Sequence, residues 1–87
     1  MKTEQLKSEI IAFLRGKPKL SEAALNDDTV LISAGLLDSF ETFEFITFLE
    51  SHFGVQFTEV ELATENFDTV YDVCRTVQKL LESQAVG

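Results

Sequence analysis

Few side chains in this 87-residue sequence are of types and spacings that do chemistry, and the most suggestive group is Asp38-Ser39-Phe40-Glu41. Aspartate followed three residues later by glutamate is the pattern of a reciprocal helix cap. Asp38 accepts from the first free amides, and Glu41 reaches back to the amide of the cap. Ser39 then falls in the first helical turn, where unbonded amides and the positive end of the helix dipole favour a phosphate on its hydroxyl. The dipeptide alone is weak evidence, because serine is common in first turns. The other reactive types are solitary. His52 and Cys74 are each the one residue of their kind and lie far apart, so the sequence supports neither a Cys–His nucleophile nor a zinc site. Cys74 sits on an apolar stripe as a small hydrophobe, and His52 near a helix end where its charge suits the dipole. Asp27-Asp28 lacks the spacing of a calcium loop, and there is no glycine-rich phosphate loop. No metal site and no catalytic activity are expected.

The elements that must position Ser39 can be read from periodicity. Leu6, Ile10, Phe13 and Leu14 recur at helical spacing, predicting a helix from about Thr3 to Arg15 that Gly16 and Pro18 stop. Residues 17–37 show no sustained period, although Ser21-Glu22-Ala23-Ala24-Leu25 fits a short turn of helix. A connection of this length points to a structured or functional loop, anchored by Leu20, Leu25, Val30, Leu31, Leu36 and Leu37. A second helix runs from the Asp38 cap to Phe53, with Gly54 as a left-handed stop. Thr58-Glu59-Val60-Glu61 repeats the capping pattern for a short helix through about Ala63. Thr69 with Asp72 opens a last helix with an apolar stripe of Val70, Val73, Cys74, Val77, Leu80 and Leu81. Only Val55-Gln56-Phe57 alternates like a strand. The expected fold is all-α, a small four-helix bundle of three longer helices and a short third one, forming a single domain over residues 1–87.

Phenylalanine is concentrated on the second helix. Phe40, Phe43, Phe45 and Phe48 lie along it and Phe53 ends it, out of eight in the chain. At about 100° per residue, Phe45, Ile46, Leu49 and Phe53 share the core arc, Phe43 lies at its edge, and Phe40 and Phe48 project away from it. One helix of so small a domain can rarely bury its whole circumference. Exposed rings beside carboxylates would form a docking surface. The alternative is that Phe48 covers the short third helix and Phe40 folds under the long loop.

Charge narrows the partners. The net charge is −8, and between Leu20 and Cys74 there are twelve acids and no Lys or Arg. Such a field repels phosphate backbones and anionic membranes and attracts proteins with basic patches. Acids also simply keep small domains soluble. No apolar run approaches the ~20 residues of a membrane span, the first residues lack a signal-peptide pattern, and a lone cysteine fits a reducing cytoplasm. A cytoplasmic monomer is expected, binding neither nucleic acid nor membrane.

Gly35-Leu36-Leu37-Asp38-Ser39-Phe40-Glu41-Thr42-Phe43-Glu44-Phe45 resembles the attachment motif of the acyl carrier protein family, the phosphopantetheine-binding carriers. Helix order, the long loop, the acidity and the Phe67-Asp68-Thr69-Val70 lead into the last helix extend the resemblance over nearly the whole chain. The resemblance implies that Ser39 takes a covalent 4'-phosphopantetheine from coenzyme A, installed by a phosphopantetheinyl transferase with Mg²⁺. It implies that Asp38 helps the transferase recognise the site. Glu41 and Glu44 would meet basic groups of partner enzymes, with Phe40, Phe43 and Thr47 as the apolar and neutral part of that surface. The arm's thiol would hold an acyl or aminoacyl group as a thioester, supplied by a loading ligase and passed to downstream synthases or transferases. Phe40 and Phe43 replace smaller aliphatic residues. Gly35-Leu36-Leu37 is more similar to freestanding carriers with dedicated ligases, D-alanyl carriers among them, so a specialised biosynthetic pathway is expected. The competing reading is a helical interaction module that binds a basic partner through the acidic, Phe-rich helix and never carries an arm.

Overall fold

A computed structural model of the chain describes residues 2–20 and 25–84. The helical turn expected at residues 21–25 falls outside them except for Leu25, which packs against the core.

The described residues form four α-helices: α1 (Thr3–Leu14), α2 (Ser39–Phe53), α3 (Glu59–Leu62) and α4 (Val70–Gln84), with a 3₁₀ turn at Thr64–Asn66. The all-helical architecture is the expected one. Each apolar stripe is buried as its spacing requires: Leu6, Ile10 and Leu14 of α1, Phe45, Leu49 and Phe53 of α2, and Val70, Val73, Cys74, Val77 and Leu80 of α4. No helix among the described residues is long and apolar enough to cross a membrane.

The capping patterns are formed. Asp38 accepts from the Glu41 amide at 2.8 Å while its own amide donates to Glu41 at 3.2 Å. Gly54 closes α2 at φ 69, the left-handed conformation that glycine adopts without strain. The Thr58 amide donates to Glu61 at 2.6 Å, and the Asp72 amide donates to the Thr69 hydroxyl at 3.0 Å. Val55-Gln56-Phe57 does not pair as a strand.

The described part of the long loop is structured. Val30 forms an isolated antiparallel bridge with Thr69, supported by Leu31 N to Asp68 O at 2.7 Å and Val70 N to Thr29 O at 3.1 Å. Leu20, Leu31 and Leu37 are buried, and Leu25 and Leu36 pack against the core. Asp68 fastens the loop from across the fold. It accepts from the amides of Ile32 at 3.1 Å and Ser33 at 2.9 Å, and from the Ser33 hydroxyl. Partial burial raises the pKa of this carboxyl, but the bonds from the Ser33 hydroxyl and from the Ser33 and Ile32 amides outweigh it and hold the value below normal.

Charge segregation in sequence does not survive folding intact. Lys7 reaches Asp27 at 2.6 Å, Lys17 reaches Glu44 at 2.6 Å and Arg75 reaches Asp72 at 3.6 Å, so three cations from outside the acidic stretch enter its field. The field is therefore interrupted where the sequence made it continuous. A folded chain brings together residues far apart in order.

Candidate functional site

The site is built by a tight turn. The amides of Leu36 and Leu37 both donate to Leu31 O, at 2.9 and 3.0 Å, and the Gly35 amide donates to Ile32 O at 3.0 Å. Gly35 adopts φ 75 in this turn, which explains a glycine there. The turn drives Leu37 into the core, at 3% exposure, and leaves Asp38 at the head of α2. Ser39 is the first helical residue and is exposed.

Its surroundings suit an anionic substituent. The capping box occupies the Glu41 amide, whereas the Ser39 and Phe40 amides, as the first two of the helix, have no carbonyl within α2 to bond. Beside the hydroxyl lies an open groove lined by Ile32, Leu37, Asp38, Ser39 and Thr42. An exposed hydroxyl, two such amides and a free approach fit a phosphodiester at this position. Glu41 and Asp38 are tied to one another by the cap.

The one histidine and the one cysteine of the chain are committed elsewhere. His52 bonds Glu9 of α1 at 2.5 Å and stacks on Phe48, with centroids 4.9 Å apart. It therefore clasps α1 to α2 at the far end of the helix. Cys74 is buried in α4, where burial and then the neighbouring Asp27 carboxylate push its thiol up to about 11. A thiol so raised is a poor nucleophile at neutral pH.

Phe40 and Phe43 are both largely exposed, at 69% and 67%. Phe40 does not fold under the loop. Phe48 covers α1 rather than the third helix, stacking on Phe13 with centroids 4.2 Å apart. Thr47 is exposed, and its hydroxyl donates to Phe43 O at 3.0 Å. The outward residues Phe40, Phe43, Glu44 and Thr47 meet Phe13 and Lys17 in a surface cleft of about 330 Å³. Lys17 lies 5.0 Å over the Phe13 ring as well as bonding Glu44. The Glu44 charge is thus offset by a neighbour, while Glu41 is engaged only in the cap. The sequence reading missed Phe13 and Lys17, since no local pattern reveals that the end of α1 lies beside the middle of α2. It also missed Asp68, whose carboxylate shows its use only once the loop folds against it.

A family model described as the phosphopantetheine attachment site matches residues 8–82, and the chain belongs to that family. The match takes in all of α2 and α3 and most of α1 and α4. Domains of this family attach 4'-phosphopantetheine covalently and are in general carriers rather than catalysts, met by phosphopantetheinyl transferases and synthase enzymes. A search of curated protein sequences gives no significant match.

Proposed function

We propose that Ser39 is the attachment residue and that the protein holds an acyl or aminoacyl group as a thioester on the 4'-phosphopantetheine arm for delivery to partner enzymes. The observation that carries this reading is the exposed Ser39 hydroxyl at the capped start of α2, inside the matched residues. The other serines described within the match lack that setting. Ser8 and Ser51 lie inside helices, and the Ser33 hydroxyl is bonded to Asp68.

In this reading each residue has a physical task. Asp38 holds the helix start so that Ser39 faces solvent, and offers the transferase a recognisable carboxylate beside the target. Ser39 Oγ would attack the coenzyme A phosphorus that bears the pantetheine, forming the phosphodiester as the pyrophosphate P–O bond breaks. Adenosine 3',5'-bisphosphate leaves, the hydroxyl proton passes to the transferase, and the Ser39 and Phe40 amides partly offset the new charge. When attached, the arm supplies the thiol on which cargo is carried. Tethering raises the effective concentration of cargo at successive active sites. Glu41 and Glu44 meet basic groups of the partners, Glu44 by exchanging its Lys17 contact for one of theirs, and Phe40, Phe43 and Thr47 provide the neutral contact. The partners are the transferase, a dedicated loading ligase and a downstream synthase or transferase of a specialised pathway, all acting on a cytoplasmic monomer.

Intact mass after incubation with coenzyme A, Mg²⁺ and a broad-specificity phosphopantetheinyl transferase tests the assignment. One added arm is expected for the wild type and none for Ser39→Ala. An arm retained in Ser39→Ala would place the attachment elsewhere.

A further inference from the structure

We infer that cargo on this carrier rides outside the helical fold, so that the natural cargo is a short or polar acyl or aminoacyl group rather than a long apolar chain. The inference rests on the assignment of the arm to Ser39.

A long acyl chain gains from every methylene it removes from water, so a carrier built for one needs an apolar space that the chain can enter. In this fold the space faced by α2 is filled with rings. Phe45 is 0% exposed and stands 5.7 Å from both Phe13 and Phe67. Phe67 is 1% exposed, and Phe57 meets it edge-on at 5.4 Å, closing the gap from the segment before α3. Leu31, Leu49 and Val70, all fully buried, belong to the same core. A leucine or methionine can change rotamer to admit a guest. A buried phenyl ring is a rigid disc, and displacing it sends it into its neighbours or into water.

The spaces that do open beside Ser39 are superficial. One is the groove of Ile32, Leu37, Asp38, Ser39 and Thr42, with a carboxylate in its wall. The other is the cleft of Phe40 and Phe43, whose wall holds the Lys17–Glu44 pair. Both leave an apolar chain in contact with water and beside charge. A short or polar group loses little by staying outside.

The test loads the same protein with arms bearing acetyl or decanoyl groups, using acetyl- and decanoyl-coenzyme A with a broad-specificity transferase. Thermal unfolding and amide NMR shifts of the two forms are then compared. The expected result is a Tm difference below about 2 °C, with shifts confined to residues around Ser39 and the two surface grooves. A decanoyl form more stable by roughly 10 °C, with shifts at Phe45, Phe57 and Phe67, would show the chain inside and overturn the inference. Failure of the transferase to add any arm, free coenzyme A included, would overturn the assignment to Ser39 and the inference with it. The mass spectrum separates that outcome from the other two.

Discussion

Asp68 shows how one side chain can hold a site it does not touch. Its carboxylate gathers two amides and a hydroxyl from Ile32 and Ser33, and the turn that follows aims Leu37 inward and Ser39 outward. Because its pKa is lowered by folding, the stabilisation is present above the ordinary aspartate range and is lost as the pH falls through the folded value. Asp68→Asn keeps the shape and gives up the charge, so urea unfolding at pH 7 is expected to show a loss of about 1–2 kcal/mol. The gap between variant and wild type should narrow as the pH falls below the ordinary aspartate range, where the wild-type carboxylate takes up its proton. A gap unchanged by acid would mean that the charge of Asp68 contributes nothing to the latch.

At the scale of the element, α2 divides its phenylalanines between two uses. Phe45 and Phe53 are buried, Phe48 seals the seam with α1, and Phe40 and Phe43 face solvent next to Ser39. The two groups should respond differently to truncation. Phe45→Ala is expected to cost about 3–5 kcal/mol in a urea titration, through the cavity it leaves. Phe40→Ala and Phe43→Ala are expected to stay within about 0.5 kcal/mol of wild type while lowering the kcat/KM of a cognate loading ligase. A large stability loss from either exposed ring, with ligase kinetics unchanged, would assign it to the core instead of the docking surface. Helical periodicity separated Phe45 from Phe40 because burial follows the angle around the axis. It could not place Phe48, since that ring is covered by α1.

For the whole molecule, the net charge of −8 sets the balance. Lys7, Lys17 and Arg75 pair with Asp27, Glu44 and Asp72, which carries three cations into the acidic stretch. Pairs at the surface contribute little, typically below about 1 kcal/mol each, so repulsion among the remaining acids dominates. Raising NaCl from about 20 to 300 mM should therefore increase the Tm by roughly 2–4 °C, read by circular dichroism. A fall in Tm would show that the pairs, which salt also screens, outweigh the repulsion. The same excess charge supports attraction to basic partners, with the cleft around Lys17 as one part of the surface where it is locally balanced.

The sequence alone specifies the helices, their caps and the place of Ser39 in the first turn of α2, because these depend on neighbours three and four residues apart. Asp38 with Glu41, Gly54, and the stripe from Val70 to Leu80 are local patterns with local consequences. It also carried the resemblance that the family match confirmed. Tertiary packing alone sets what lies across from each face. It brought Asp68 to the loop, Lys17 to Glu44, Glu9 to His52 and Phe13 to Phe48, and it packed Phe57 and Phe67 into the space behind α2. Those partners are separated in the chain by ten residues or more, and no period along the sequence encodes a contact made by closing a long loop.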